Sequence, residues 1–308
     1  MADDISRREA ARLIAGTAAT VLWSGSVLAQ DKISMITRAI PSSGEKLPVT
    51  GLGTYQSFDV GSSAADRQAV EEVLRLFVQR GGRLIDSSPM YGRSEEVIGE
   101  LAAKTGVQKD LFLATKVWTS GKEAGVASME RSFTRMQTKR MALMQVHNLV
   151  DVQTHLATLR DWKEQGRVRY IGITHYTAGS HGEVARVLER EKVDFVQINY
   201  SITEREADQR VLRVAQDRGV AVIANRPFGG GGMFGRVRGK PLPDFATEFD
   251  CTSWAQFFLK WIVAHPAITC AIPATSKAGH LADNMQAAVG RLPDAKMRER
   301  MVQAVAAL

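Results

Sequence analysis

Arg83-Leu84-Ile85-Asp86-Ser87-Ser88-Pro89-Met90-Tyr91-Gly92, residues 83–92, is the stretch from which the fold is read. An apolar run with the character of a strand stops at a carboxylate, crosses a Ser-Ser-Pro loop and leads into an amphipathic segment starting near residue 94. Strand, loop and helix thus follow one another as one unit. The same rhythm recurs at the strand candidates Val49 to Thr54, Arg83 to Ser87, Leu111 to Val117, Ala142 to His147, Tyr170 to Thr174, Phe195 to Asn199, Ala221 to Asn225 and Thr269 to Ile272. Helix candidates alternate with them near 66–80, 94–104, 123–137, 152–165, 180–191, 205–218, 253–265 and 279–288. Gly81-Gly82, Gly106, Gly166 and Gly219 each follow a helical run, where a left-handed cap favours glycine. Repeated βα units imply a parallel sheet, and eight of them in 308 residues predict an α/β fold of the closed (β/α)8 TIM-barrel type. An open doubly wound sheet would announce itself with Gly-x-Gly-x-x-Gly after the first strand, and Gly51-Leu52-Gly53-Thr54 does not continue that way.

Three segments stand outside the repeat. Ile33 to Pro48, with Pro-Ser-Ser-Gly at 41–44, reads as a β-hairpin that caps the bottom of the barrel. Phe228 to Asp250 is long and rich in Gly and Pro, so it reads as a functional lid after the seventh strand. Asp294 to Ala307 reads as a C-terminal helix.

The first 29 residues belong to another physical category. Ser6-Arg7-Arg8 precedes a weakly apolar stretch, Leu13 to Ala29, that ends in the small-residue site Val27-Leu28-Ala29. That pattern predicts a signal peptide of twin-arginine type cleaved after Ala29, a transient encounter with the twin-arginine export machinery, and a periplasmic destination. Were the signal not functional, the chain would stay in the cytoplasm. The stretch is too polar for a stable membrane span. Removing it takes away three basic and three acidic residues, so the net charge stays at +7. The positive charge is spread without a Lys/Arg block or interleaved aromatics, which argues against a nucleic-acid partner. Cys251 and Cys270 have no metal-ligand spacing, and Cys270, inside the apolar run 267–273, reads as a buried free thiol. No bound metal is expected.

In a (β/α)8 barrel the loops at the C-terminal strand ends converge on one mouth. Asp86 ends the second strand, Tyr91 lies in the loop after it, Lys116 ends the third strand and His147 the fourth. A phenol with an ordinary pKa near ~10 gives up a proton sluggishly unless a cation favours the phenolate. Lys116 can supply the charge, Asp86 can hold the ammonium, and His147 can orient a substrate oxygen.

These residues resemble the aldo-keto reductase family over nearly the whole chain after the signal. The resemblance is carried by Asp86-x-x-x-x-Tyr91-Gly92, Thr115-Lys116, Val146-His147-Asn148, Gly166 to Ile173, Val196 to Tyr200 and Ile272 to Ser276. It implies an NAD(P)H-dependent reductase of a small-molecule aldehyde or ketone, with Tyr91 as general acid, Lys116 and Asp86 tuning it, and His147 orienting the carbonyl. NADPH is the expected cofactor, with NADH the alternative. The cofactor positions implied are Gly53, Thr54, Asp86, Thr174, His175, Gln197, Asn225, Arg226, Phe228, Gly229, Thr275, Ser276, Lys277, His280 and Asn284. Thr174-His175 departs from the usual Ser-Asn pair. Asn225 stands where the family often has a stacking tyrosine, and Ala274 and His280 stand where it often has Lys and Arg. Lys277 carries the expectation of NADPH over NADH. Tyr55, Trp118 and His147 are the implied substrate pocket.

Two readings compete with this one. An exported nicotinamide-binding sensor or regulatory subunit would keep the site without significant turnover. A sugar lyase or isomerase on a barrel would need metal-binding clusters at strand ends, and the sequence offers none.

Overall fold

The computed structural model describes residues 35–308. The expected signal peptide, residues 1–29, lies outside the described residues. The first described element is the expected hairpin: β1 (Thr37–Ala39) and β2 (Lys46–Pro48) pair antiparallel, with Arg38 opposite Leu47.

The barrel follows in βα alternation, with an extra short helix after β9. Its first half is β3 (Leu52–Gly53), α1 (Ala64–Gln79), β4 (Leu84–Asp86), α2 (Ser94–Thr105), β5 (Phe112–Val117), α3 (Lys122–Arg135), β6 (Met141–His147) and α4 (Val152–Glu164). Its second half is β7 (Val168–Thr174), α5 (His181–Arg190), β8 (Phe195–Asn199), α6 (Val211–Asp217), β9 (Ala221–Asn225), α7 (Gly232–Arg236), α8 (Trp254–Val263), β10 (Ile268–Ala271) and α9 (Ala278–Gln286), with α10 (Ala295–Ala306) ending the chain. Neighbouring strands from β3 to β10 are parallel and in sequence order. Bridges from Thr50 to Ala271 and from Gly53 to Ala274 join the first barrel strand to the last. The expected (β/α)8 architecture is therefore present, with most element ends within two residues of the expected ones. Gly81, Gly106, Gly166 and Gly219 all take positive φ, as the caps require.

Strand periodicity sorts the side chains into two cores. Ile85, Leu113, Val146, Ile171, Ile173, Val196, Ile198 and Val222 belong to the large cluster between sheet and helices. Leu84, Phe112, Leu143, Tyr170, Phe195, Ile223 and Cys270 form a second cluster in the barrel interior, joined by Ile40 and Leu47 of the hairpin. Phe112, Tyr170 and Phe195 meet with ring centroids 5.6–6.0 Å apart. The hairpin thus closes the barrel floor with two fully buried aliphatic side chains, each contributing about 2 kcal/mol of burial. Two residues further along the same interior face, the sequence turns polar. Asp86 follows Leu84, Gln145 and His147 follow Leu143, Gln197 follows Phe195 and Asn225 follows Ile223. An apolar lower barrel beneath a polar mouth is the consequence.

The segment after β9, expected as a lid, carries local structure of its own. It contains a 3-10 turn at Gly229–Gly231, the short helix α7 and a second 3-10 stretch at Asp244–Phe249. Phe234 packs between Phe228 at 4.8 Å and Phe258 of α8 at 6.1 Å, and the Trp254 indole donates to the Lys240 carbonyl at 2.9 Å. Aromatic contacts anchor this glycine-rich segment to α8. Cys251 and Cys270 are both buried free thiols, as expected for Cys270.

Candidate active site

At the mouth, one carboxylate gathers the side chains of four strands. Asp86, at the end of β4, accepts from Lys116 Nζ at 2.6 Å through Oδ2, and from Gln197 Nε2 at 2.8 Å and Gln145 Nε2 at 3.3 Å through Oδ1. Lys116 Nζ also donates to the Ser87 carbonyl at 2.6 Å. Both charges are buried, Lys116 completely and Asp86 to within 2 %. Desolvating such a pair costs several kcal/mol per ion, about what good geometry and full hydrogen bonding can offset. Here the carboxylate has three donors and the ammonium two acceptors. Thr54, also buried, donates its hydroxyl to the Asp86 carbonyl at 2.9 Å and stands 3.0 Å from Ser87 Oγ.

Tyr91 lies over this pair. Lys116 Nζ is 4.9 Å from its ring centroid, and the rings of Tyr55 and His147 approach edge-on at 5.1 and 6.2 Å. The loop reaches this position through Gly92, whose φ is +55° and whose missing Cβ would stand 2.2 Å from Asp59 Oδ2. Burial pushes the Tyr91 phenol upward and the Lys116 cation pulls against it, with a net rise. Lys116 acts on the phenol in the expected direction, and burial is the larger, opposing influence. Burial also works against the charge on Lys116, but the Asp86 carboxylate more than compensates and raises its pKa. For His147, burial, the Lys116 charge and His175 act together and bring the imidazole down to about 3. At neutral pH the mouth presents a protonated phenol, a buried ammonium and a neutral imidazole.

The polar floor continues around the barrel. Thr174 Oγ1 donates to Gln197 Oε1 at 3.3 Å, and Asn225 Nδ2 reaches the His175 carbonyl at 3.1 Å and Gln197 Oε1 at 3.4 Å. Asn225 Oδ1 is buried without a partner, an unspent acceptor beside this amide cluster. His175 Nδ1 accepts from the Tyr176 and Thr177 amides at 3.0 and 3.3 Å. Arg226 is exposed with a φ of +50°, and its guanidinium comes within 3.3 Å of where a Cβ on Gly230 would stand.

The structure thus brings Asp86, Tyr91, Lys116, His147, Tyr55, Thr54, Thr174, Gln197, Asn225 and the His175 backbone into one connected arrangement. Trp118 stands on the loop after β5 with 44% of its surface exposed. Phe228 and Gly229 open the aromatic-anchored segment. Thr275, Ser276, Lys277, His280 and Asn284 follow β10 as a separate group, in which the Lys277 amide donates to Thr275 Oγ1 at 3.1 Å and Lys277 and His280 are exposed. Gln145, Ser87 and Ser88 belong to the site and were not singled out from sequence. Gln145 carried a signal, since it lies two residues before His147 on the same strand face.

The sequence model described as the Aldo/keto reductase family matches residues 50–301. The methylglyoxal reductase of Escherichia coli is 26% identical over 256 residues, covering 80% of this chain and 88% of that protein. The 9,11-endoperoxide prostaglandin H2 reductase of Trypanosoma cruzi is 25% identical over 264 residues, covering 82% and 87%. Among solved structures, an aldo-keto reductase from Klebsiella pneumoniae in complex with NADPH superimposes with a TM-score of 0.72 at 23% identity, over 88% of this chain and 95% of that one.

The His147 environment sets a pH dependence. The imidazole is neutral in the folded chain down to about 3, whereas its ordinary pKa is 6.5. Between those values the unfolded chain binds a proton that the folded chain refuses, so stability is present above pH 6.5 and falls on acidification. In urea unfolding between roughly pH 6 and 4.5, wild type should lose up to about 1.4 kcal/mol per pH unit more than His147→Gln. Parallel profiles would show that burial does not hold the imidazole neutral.

Proposed function

The chain belongs to the aldo/keto reductase family, and from that premise we propose that it reduces an aldehyde or ketone to an alcohol with NADPH, Tyr91 being the proton donor. The observation that carries this reading is the protonated Tyr91 phenol stacked over the buried Lys116–Asp86 pair, with neutral His147 beside it. NADPH, when bound, supplies the hydride that adds to the carbonyl carbon. The carbonyl oxygen takes its proton from the Tyr91 hydroxyl, and the Lys116 ammonium stabilises the phenolate left behind. Neutral His147 donates a hydrogen bond to the same oxygen and fixes its orientation.

The donor set fits a nicotinamide dinucleotide. Thr174, Gln197 and Asn225 form an amide-rich floor with one acceptor still unpaired, which suits a carboxamide. The His175 carbonyl borders it, and Gly53, with Thr54, is assigned to the cofactor ribose. Arg226, with Phe228 and Gly229, is assigned to the pyrophosphate, and Thr275, Ser276, Lys277, His280 and Asn284 to the adenosine phosphate. Lys277 is the exposed cation of that group. The reductase names of the relatives support the reaction class.

The substrate side of the mouth has its own character. Tyr55, Met90, Trp118 and Tyr176, on the loops after β3, β4, β5 and β7, are between 42% and 56% exposed. In the loops 54–63, 87–93, 118–121, 148–151 and 175–180, the one permanent cation is Arg93, held by Glu96 at 2.7 Å, while Asp59 and Asp151 are acidic. An aromatic, slightly acidic rim on a chain of net charge +7 suits a neutral, flat carbonyl compound better than a phosphorylated sugar or a carboxylate.

With methyl 4-formylbenzoate, wild type should oxidise NADPH, and Tyr91→Phe should lose at least about a hundredfold in kcat while binding NADPH with unchanged Kd. The matched anion 4-carboxybenzaldehyde should be turned over at least about tenfold less efficiently. NADPH binding without turnover across a wide carbonyl panel would leave the sensor reading in its place, and equal use of ester and acid would remove the neutral-substrate assignment.

Residues 1–29 are assigned as a twin-arginine signal that takes the protein to the periplasm, on the strength of Arg7-Arg8, the weakly apolar stretch and Val27-Leu28-Ala29. A fusion of residues 1–35 to a reporter that matures only in the folded state should reach the periplasm, and Arg7→Lys/Arg8→Lys should stop it. Cytoplasmic retention of the unmutated fusion would contradict export.

A further inference from the structure

His147 has a polar partner that the reaction does not require by itself. Ser88 Oγ lies 3.2 Å from His147 Nδ1, and the Met90 amide donates to the same Ser88 oxygen at 3.3 Å. Ser88 is fully buried and His147 nearly so. A serine hydroxyl has one proton and two lone pairs. Met90 N–H occupies one lone pair, which leaves the hydroxyl proton to be placed.

Two arrangements are possible at the Ser88–His147 contact. If Nδ1 carried the ring proton and donated to Ser88 Oγ, the Ser88 hydroxyl proton would have no acceptor within hydrogen-bond reach among the described residues, at a buried position where an unpaired donor costs about 1–3 kcal/mol. If Ser88 donates to Nδ1 instead, every group in the chain Met90 N–H, Ser88 O–H, His147 Nδ1 is satisfied. Nδ1 is then the acceptor and Nε2 carries the proton. Nε2 has no protein partner and is not among the buried polar atoms lacking one, so it remains open to the mouth.

We propose that Ser88 is a positioning residue that locks His147 in the Nε2–H tautomer, so that the imidazole enters the mouth as a hydrogen-bond donor. The role rests on the carbonyl-reductase reading, because a hydrogen-bond donor is what a carbonyl oxygen needs as negative charge builds on it while hydride adds to its carbon. The Lys116 ammonium on the same side reinforces the lock, since it disfavours a second proton on the ring. The sequence feature responsible is the second serine of Asp86-Ser87-Ser88-Pro89. Its neighbour Ser87 faces Thr54 and offers its carbonyl to Lys116, so the two serines serve different strands.

The test is the ring 15N spectrum of the full chain labelled at histidine, with the His147 signals assigned by their absence in His147→Gln. At pH 7 the wild-type ring should show a pyridine-type Nδ1 and a protonated Nε2, and Ser88→Thr, which keeps the hydroxyl, should preserve that pattern. Ser88→Ala should shift the ring toward a mixture of tautomers and lower kcat at least about tenfold, since a wrongly protonated triad histidine elsewhere costs up to roughly ten-thousandfold, with the Kd for NADPH unchanged. A wild-type ring protonated at Nδ1 overturns the proposal, whether or not Ser88→Ala folds. An unchanged tautomer pattern in folded Ser88→Ala overturns it equally. A wild type that turns over no carbonyl would instead strike the reductase reading, while the spectrum still reports which nitrogen holds the proton.

Discussion

The mouth of this barrel depends on a buried ion pair, Lys116 with Asp86. An ammonium with no exposed surface is tolerable only because Asp86 and the Ser87 carbonyl receive it at 2.6 Å each. The carboxylate is in turn held by Gln145 and Gln197 from two other strands. Charge, not apolar contact, therefore ties together β4, β5, β6 and β8 at the level where chemistry takes place. A pair so fully hydrogen-bonded is also rigid, which is what a site needs if its proton donor is to stand in one place. Burial raises the Tyr91 pKa above its ordinary value against the pull of the ammonium beneath, and the phenol form is the protonation state required of a donor to a carbonyl oxygen.

The same constraint explains the gradient along the barrel interior. Below, Phe112, Tyr170, Phe195 and the hairpin side chains Ile40 and Leu47 fill the space with apolar volume. Above, Asp86, Lys116, Gln145, His147, Gln197 and Asn225 place acid, lysine, amide and imidazole groups at the mouth. The lower layer excludes water from beneath the ion pair and so strengthens its electrostatics. The hairpin before the barrel is part of that insulation, although it lies at the opposite end from the site.

Much of this was legible in the sequence because strand ends are a one-dimensional signal. Asp86, Lys116 and His147 each close an apolar run, and Tyr91 follows Asp86 in a loop, so a barrel brings them to one mouth. Gln145 and Ser88 were not legible in that way. Their roles depend on which residue stands across a strand register, as with Lys116 opposite Gln145, and on where a loop serine turns. The internal structure of the segment 228–250 was not legible for a related reason. Glycine content describes the local backbone, whereas Phe228, Phe234 and Phe258 order the segment through contacts made across about 30 residues of chain.

The most direct test of the central claim is a double-mutant cycle on the stability of the purified chain, with Asp86→Asn, Lys116→Met and the two combined. If the buried pair organises the mouth, Asp86→Asn alone strands an ammonium and costs about 3–5 kcal/mol. The double variant should then cost markedly less than the sum of the single losses. Losses that add within about 0.5 kcal/mol would contradict the account, because the two charges would then be independent.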